Sequence, residues 1–158
     1  MSIFSVAGTK IAIGTAMAQQ PTNFTATQFS GESFVNISWC ENLGQFGDEA
    51  SEIAFSPIDA NRTLKLKGVY NAGTMTAVFG VDYTDAGQLI IRTAVSLPTD
   101  YGFRVLFNDM PTGGVSGSIR YFIAKVMSVR EQLDTVNNVI RVNVNLGINS
   151  NIVIVNAH

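Results

Sequence analysis

Alternation of apolar and polar residues is the feature of this sequence that most restricts its fold. In the segment 139–155, VIRVNVNLGINSNIVIV, every second residue of 140–148 is apolar, and Arg141, Asn143 and Asn145 lie between them. A β-strand places successive side chains on opposite faces, so this pattern predicts a strand with one buried face.

Similar stretches elsewhere predict a mainly β fold, a β-sandwich or a partly open barrel. The segment SFVNISW places two sets of side chains on opposite faces: Val35, Ile37 and Trp39, and Phe34, Asn36 and Ser38. Other predicted strands cover 9–15, 63–69, 75–81, 101–107 and 118–129. Because no break in composition divides the chain, we expect one domain over 1–158, with an N-terminal arm at 1–8 and a C-terminal strand or arm at 150–158.

One flanking α-helix is predicted at 86–96, lying against the sheet. Asp85 and Gln88 have the spacing of a capping box with Asp85 as the N-cap, and Pro98 ends the helix. Apolar residues recur at helical spacing, and the side expected to pack on the sheet carries Ile90, Ala94 and Leu97.

The segment 41–61, ENLGQFGDEASEIAFSPIDAN, is predicted to be a long loop. Connections in compact domains usually have about 4–6 residues, and much longer loops tend to be functional or disordered. This one is too apolar for a solvated linker, which indicates that it makes contacts; the alternative is a loop folded over its own domain. The candidate contact residues are Leu43, Phe46, Asp48, Glu49, Glu52, Ile53 and Phe55.

No catalytic, cofactor-binding or metal-binding pattern is expected in this sequence. Its one histidine, His158, is the final residue, and Cys40 follows a tryptophan in a predicted strand with no histidine to activate it. Asp82 and Asp85 flank the helix start, where acidic residues complement the helix dipole. The carboxylates of 48–52 are interpreted as a solvated acidic group. The sequence therefore favours a protein that is not an enzyme and uses no cofactor.

The charge distribution indicates a protein that assembles with itself. The formal net charge is -2 without any run of Lys and Arg, which argues against strong attraction to nucleic acid. Only 14% of residues are charged while 46% are hydrophobic, so part of the surface is expected to be hidden in an assembly. No apolar run reaches the ~20 residues of a membrane helix, and no membrane contact is expected.

The stretch KIAIGTAMAQQP, residues 10–21, has some features of a signal peptide. Its apolar run from Ile11 to Ala18 includes Gly14 and Thr15, and it reaches that length only by using the residues of the supposed cleavage site, whereas a signal peptide has about 7–15 apolar residues before that site. We interpret the stretch as a strand and expect no signal peptide.

Three segments taken in order resemble the tail tube, or major tail, proteins of long-tailed bacteriophages. They are RTLKLKGVYNAGTMTAVF (62–79), YTDAGQLIIRTAVS (83–96) and IRYFIAKVMSVREQLDTVNNVIRVNVNLGINSNIVIV (119–155). The most specific parts are the Lys-Leu-Lys-Gly strand that leads into an Asn-Ala-Gly turn, and the closing pair of strands.

The resemblance implies a structural virion protein that forms hexameric rings stacked into a hollow tube for DNA ejection. The inner sheets of neighbouring subunits would join into a ring-wide β-barrel, and DNA would pass without specific binding. Implied partners are other copies of the chain and the tail terminator, tip and tape measure proteins. Synthesis in the host cytoplasm and residence in the virion tail are implied as well.

The resemblance also implies roles for particular residues. Segment 41–61 would reach the adjacent ring, where its acidic group would meet Arg62, Lys65, Arg120 or Lys125. The side chains expected to face the tube lumen are Asn36, Ser38, Arg141, Asn143 and Asn145, with Arg141 neutralised by an acidic neighbour. Two alternatives stay open: a tube subunit of a contractile tail or type VI secretion system, and an exported monomeric β-sandwich binding module.

Overall fold

The computed structural model describes residues 3–158, which form two helices and ten strands. The helices are α1 (Ala26–Ser30) and α2 (Ala86–Ala94). The strands are β1 (Lys10–Ala16), β2 (Val35–Ile37), β3 (Cys40–Asn42), β4 (Glu49–Phe55), β5 (Leu64–Asn71), β6 (Thr74–Gly80), β7 (Tyr101–Leu106), β8 (Ile119–Gln132), β9 (Arg141–Ile148) and β10 (Val153–Val155).

Eight of the strands form one antiparallel sheet in the order β2-β1-β7-β8-β9-β6-β3, with β10 paired to β8. Strand β8 is long enough to join two halves of this sheet. Its first half, up to Ala124, pairs with β7, and its second half, from Ala124 to Gln132, pairs with β9. The register shifts between Val126 and Ser128, which places a bulge near the middle of the strand.

The sheet curves around a single main core. Side chains from strands far apart in the sheet order meet there, including Phe103 of β7, Phe79 of β6 and Val144 of β9, all almost fully buried. The rings of Phe103 and Phe122 stack with centroids 5.7 Å apart. The prediction of a mainly β fold with a partly open barrel is confirmed, since the sheet curves without closing.

A second, smaller cluster covers the outer face of β7 and β8. The short helix α1 places Phe29 against Tyr121, with ring centroids 5.1 Å apart, and Ile123 and Val153 complete the cluster. The sequence analysis missed this helix because five residues are too few to show helical periodicity. Its only sequence signal is Thr25, whose backbone N donates to Gln28 Oε1 at 2.8 Å as in a capping box.

Helix α2 is bonded to two distant parts of the sheet, the end of β6 and the residue that follows β2. It begins after its N-cap Asp85, whose Oδ2 accepts a hydrogen bond from Gln88 N at 3.0 Å. Gln88 is buried, and its Nε2 donates to Gly80 O at the end of β6 and to Ser38 O just after β2. The helix ends at Ala94, two residues earlier than predicted, and buries Ile91 in place of the exposed Leu97.

The pattern in SFVNISW fails at its last residue. Strand β2 ends at Ile37, and Trp39 adopts a left-handed backbone conformation with φ of 62°, so that its side chain is 68% exposed. The indole Nε1 donates to Asp82 Oδ2 at 3.1 Å. This turn lets the chain pass directly from β2, at one end of the sheet order, to β3 at the other.

Segment 41–61 is not a loop, which corrects the prediction. Its middle forms β4, which pairs with β5 from Glu49–Asn71 to Phe55–Leu64 as a two-stranded sheet. The predicted strand at 63–69 is thus the partner of the predicted loop. The closing strand is also interrupted: β9 stops at Ile148, and β10 pairs with the first half of β8.

Candidate assembly surfaces

The β4–β5 hairpin, residues 49–71, carries an exposed apolar face. Its register places Ile53 opposite Leu66 and Phe55 opposite Leu64, so the four side chains share one face. Each of them is at least half exposed, from 50% for Ile53 to 61% for Leu66. We call these four residues the apolar strip.

The opposite face of the hairpin is charged. Glu52 lies opposite Lys67, and Lys65 Nζ lies 3.5 Å from Glu52 Oε1. Because both side chains of this ion pair are more than half exposed, the pair contributes little to stability. The hairpin therefore presents one apolar and one polar surface.

An isolated two-stranded hairpin is marginally stable in water, and β4 and β5 pair only with each other within residues 3–158. Exposed apolar strips of this kind on soluble proteins commonly mark contact surfaces. Burial of the apolar strip against a partner would remove it from water and hold the hairpin in place.

The structure divides the residues predicted for the inter-ring loop into two groups. Leu43 and Phe46 are half-buried against the core, where the ring of Phe46 lies 5.7 Å from that of Phe122. They are therefore not free to reach outward. The others lie on or beside the hairpin and are exposed: Asp48, Glu49, Glu52, Ile53 and Phe55.

Most of the basic residues predicted to meet the acidic group already have partners within the subunit. Lys65 pairs with Glu52, Lys125 Nζ lies 3.0 Å from the buried Asp100 Oδ2, and the Arg120 guanidinium lies 4.7 Å from the Phe107 ring centroid. Arg62, in the connection between β4 and β5, is exposed. Contacts through the hairpin are thus expected to depend more on apolar burial than on ion pairs.

A second candidate surface is the polar face of β6, β9 and β8, opposite the core. Thr76 Oγ1 donates to Asn145 Oδ1 at 2.8 Å, and Asn143 Nδ2 donates to Gln132 Oε1 at 3.2 Å. These bonds join side chains of three adjacent strands. The polar residues of this face, which also carries the half-buried Val78, are Thr74, Thr76, Ser128, Arg130, Gln132, Arg141, Asn143 and Asn145.

Arg141, at the start of β9, is neutralised on the polar face. Its Nε donates to Glu41 Oε2 in an ion pair. The hydrogen bond to Glu41 and the charge of that carboxylate raise the pKa of the Arg141 guanidinium, so it stays charged and paired. The polar face thus presents amides, hydroxyls and a compensated cation, with Arg130 as an exposed positive charge.

The structure places Asn36 and Ser38 on a different part of the sheet from the polar face, and their predicted position in the lumen stays a prediction. Asn36 lies on β2, six places along the sheet order from β3, and its backbone O faces Gly87 of α2. Ser38 N donates to the cap residue Asp85 at 3.3 Å. Both residues belong to the junction between β2 and α2.

Sequence reasoning missed the polar residues that β6 and β8 contribute to this face. Alternation in TMTAVFG, residues 74–80, predicts that Thr74 and Thr76 face away from the core. The residues that alternate with them, Met75, Ala77 and Phe79, are buried. For Ser128, Arg130 and Gln132 the bulge in β8 changes which residues face the core, so alternation counted from Phe122 assigns them wrongly.

Among the strand edges that are unpaired in residues 3–158, two bound the group β8, β9, β6 and β3. Beyond Ala124, the edge of β8 that faces away from β9 pairs with no strand in the described chain. Helix α2 lies beside this edge, where Arg92 Nη1 is 3.0 Å from Glu131 Oε1. Strand β3 ends the sheet order on the other side. Unpaired edges of this kind are templates for pairing with another chain.

The remaining features offer little chemistry. Among residues 3–158 no group of three or more His, Cys, Asp and Glu side chains is placed to hold a metal ion. Cys40 lies in β3, and burial raises the pKa of its thiol to about 11, which keeps it protonated at neutral pH. No helix in this part of the chain has the length and apolar character needed to cross a membrane.

Comparisons with known proteins identify the fold. No protein-family model and no curated protein matches the sequence. Among solved structures, a chain of the anti-feeding prophage baseplate, 6-fold symmetrised, superposes with a TM-score of 0.69 at 11% identity, covering 99% of this chain and 98% of that one. A chain of the SPP1 tail tube superposes with a TM-score of 0.64 at 14% identity, covering 98% of this chain and 80% of that one. A chain of the sheath-tube complex of an extracellular contractile injection system, PVC, superposes with a TM-score of 0.64 at 10% identity, covering 98% of this chain and 93% of that one. The chain thus has the fold of tail-tube proteins, which contractile systems share.

Proposed function

We propose that this chain is the subunit of a phage tail tube, a non-enzymatic structural protein that acts by self-assembly. Rings of six copies would stack into a hollow tube through which DNA leaves the virion. The observation that carries the proposal is the exposed β4–β5 hairpin on a fold shared with tube proteins, because its apolar strip is not covered by any part of residues 3–158.

Ring closure is proposed to use the open edges of β8 and β3. Strands β3, β6, β9 and β8 are consecutive in the sheet order. In the described chain the outer edge of β3 is unpaired, and so is the outer edge of β8 beyond Ala124. Pairing the edge of β8 in one copy with β3 of the next would join the sheets around the ring. Such closure removes exposed edges from the assembled protein.

The polar face of β6, β9 and β8 is proposed to line the channel. Two pairs of its polar side chains bond to each other, and Glu41 compensates Arg141, so Arg130 is the exposed cation that each copy contributes to this face. A duplex therefore meets a hydrated surface without a cluster of cations, and passes without specific binding.

The remaining parts of the proposal are residence in the virion tail and contacts with terminator, tip and tape measure proteins at the tube ends. A tube subunit of a contractile tail or secretion system is the second candidate. It is supported by the TM-score of 0.64 to a chain of the PVC sheath-tube complex, which equals the TM-score to the SPP1 tail tube.

Excision of the hairpin tests the proposed function. Glu49 and Asn71 are paired at the base of β4 and β5, so residues 50–70 can be replaced by a two-residue Asn-Gly turn without disturbing the core. The shortened subunit is expected to fold and to form rings that do not stack. Negative-stain electron microscopy and sedimentation measure the loss of tubes.

A matched control replaces the connection alone, residues 57–62, by Gly and Ser, which keeps β4, β5 and the apolar strip. This variant is expected to form tubes like the original chain. Full-length tubes from the shortened subunit would refute a stacking role for the hairpin, and failure of the unaltered chain to form rings or tubes would refute the proposed function.

A further inference from the structure

Two oppositely charged side chains lie on the two outer strands of the group β8, β9, β6 and β3. Arg130 is on β8, opposite Asn143 of β9, and is exposed. Glu41 is the middle residue of β3, and its contact with Arg141 places its carboxylate on the polar face, where Arg130 also lies. The polar face therefore has a cation at one outer edge and a carboxylate at the other.

Both side chains have unused bonding capacity within residues 3–158. Arg130 takes part in none of the ion pairs of this part of the chain. Glu41 Oε2 accepts from Arg141 Nε, whereas Glu41 Oε1 accepts from no donor of the described residues. Because a carboxylate offers about four lone-pair sites on two oxygens, Glu41 has room for a second guanidinium.

The contact between Glu41 and Arg141 shows how far these side chains reach. Arg141 lies opposite Gly80 of β6, and β3, which carries Glu41, pairs with the other edge of β6. The contact thus spans two strand spacings, roughly 10 Å, across a residue that has no side chain. A guanidinium on a directly adjacent strand is closer to the same carboxylate.

Strand directions fit a junction between β8 of one copy and β3 of the next. The pairs β8–β9, β9–β6 and β6–β3 are all antiparallel, so β8 and β3 run in opposite directions. Rotation about a ring axis keeps the direction of each strand relative to that axis. The open edges of two neighbouring copies would therefore meet as an antiparallel pair, like the pairs within one copy.

The positions of the polar side chains on β8 bring Arg130 close to Glu41 at such a junction. Beyond the bulge, the polar-face residues of the open β8 edge are Ser128, Arg130 and Gln132. Arg130 is the middle one and the only one with a charge. Glu41 placed opposite any of the three is either directly across from Arg130 or diagonal to it, at about 5 Å or about 7–8 Å.

We propose that Glu41 of one copy also binds Arg130 of the neighbouring copy, so that it bridges two arginines across the junction. The proposal rests on the proposed ring closure and specifies the side chains that select its register, since opposite charges on adjacent strands favour pairing and like charges oppose it. Ring closure would also compensate the exposed cation that each copy contributes to the polar face.

Charge reversal on each side of the junction tests this ion pair. The first variant carries Arg130→Glu, and the second carries Glu41→Lys with Arg141→Gln, which avoids repulsion between the new lysine and Arg141. Each variant alone places like charges at every junction. The subunit concentration for half-maximal ring formation at low salt is expected to rise about fivefold or more, measured by sedimentation and electron microscopy.

Both variants are expected to stay folded, because the altered side chains lie on the polar face away from the core. Far-UV circular dichroism of the dilute subunits checks this. Arg62→Glu makes the same change of charge at an exposed position outside the junction. This control is expected to form rings at the concentration of the original chain.

Mixing the two variants is the decisive measurement. In a ring that alternates them, one junction keeps the original pair and the next has the reversed pair. The mixture is therefore expected to form rings at close to the original concentration, and native mass spectrometry should find equal numbers of the two variants in each ring. Raised salt should weaken ring formation of the original chain and of the mixture.

Disulfide cross-linking locates the junction independently of charge. In a Cys40→Ser chain, Glu41→Cys is combined with Ser128→Cys, Arg130→Cys or Gln132→Cys. Within one copy these positions are three strand spacings apart, roughly 14 Å, which is too far for a disulfide. At least one combination is expected to give ladders of linked subunits on oxidation, whereas Glu41→Cys with Ser30→Cys, on α1, is not.

The outcomes separate the ion pair from the ring. Unchanged ring formation by Arg130→Glu, or a mixture that assembles no better than its components, would overturn the ion pair. Rings that cross-link in none of the three combinations would overturn the junction between β8 and β3 together with the ion pair, and would leave the tube function standing. Failure of the unaltered chain to form rings would refute the proposed function itself.

Discussion

At the scale of single residues, Asp85 connects the start of α2 to the end of β2. Its Oδ2 accepts hydrogen bonds from Gln88 N at 3.0 Å and from Ser38 N at 3.3 Å. Asp85→Ala removes both acceptors, and loss of an N-cap costs about 1 kcal/mol. The melting temperature is expected to fall by about 2–4 °C for a chain of this size, measured by calorimetry.

Asp85→Asn is the control for that prediction, because its amide oxygen still accepts from Gln88 N. It is expected to retain most of the stability, and ring formation should be unchanged in both variants. An unaltered melting temperature for Asp85→Ala would show that the cap contributes nothing measurable.

The spacing of Asp85 and Gln88 in the sequence predicts the helix start but not what Gln88 does. In a capping box the Gln88 side chain would accept from Asp85 N, yet Asp85 N donates to Asp82 O. Gln88 Oε1 accepts from Asp82 N at 3.0 Å, and its Nε2 donates to Ser38 O and Gly80 O. Ser38 is 50 residues away in the sequence, and Asp82 and Gly80 lie outside the spacing of a capping box, so that spacing does not reveal these partners.

At the scale of secondary structure elements, Gln88 holds α2 to the end of β6 and to the residue that follows β2. Gln88→Met keeps a similar shape but leaves three backbone groups without partners. Since each unsatisfied buried group costs about 1–3 kcal/mol, we expect the free energy of unfolding to fall by about 2 kcal/mol or more in urea titrations. The control is Gln45→Met at an exposed position, expected within about 0.5 kcal/mol of the original chain.

The elements that sequence patterns predict well are those with one buried face. Strand β9 alternates strictly between buried and half-buried residues, and its position in the sequence was recognisable from that alternation. Strand β4 is exposed along almost its whole length and has a register shift near Ala50, so its residues show no alternation with a buried face. A strand that is exposed on both faces therefore resembles a loop in sequence.

At the scale of the whole molecule, surfaces depend on pairings that a sequence does not display. Asn143 and Asn145 were assigned to an exposed polar face from alternation, and the structure adds Thr76 and Gln132 as their neighbours through strand pairing. Asn36 has the same local pattern but lies on β2, at the far end of the sheet order. Only the topology separates these two sets.

The proposed channel lining leads to a prediction about DNA. Asn143→Lys with Asn145→Lys is expected to allow tubes to form, since both side chains lie on the polar face away from the core. The added cations would hold phosphate, so the variant tubes should retain labelled duplex DNA and release it as salt is raised.

Thr93→Lys with Ser96→Lys is the matched control, because it adds the same charge at two exposed positions, one in the last turn of α2 and one just after the helix. Control tubes are expected to retain much less DNA within the channel, measured as the fraction protected from nuclease. Equal protection in the two variants would remove Asn143 and Asn145 from the channel lining.

A hairpin that leaves one side of a ring and binds a different surface on the next ring would give the stack a direction. One terminus would always expose apolar strips and the other would always expose the surfaces that receive them, so the two termini would differ in growth rate and critical concentration. A protein that caps one terminus would have no complementary surface for the other. Such a filament would therefore require two chemically different caps, and its length could be set by controlling addition at a single terminus.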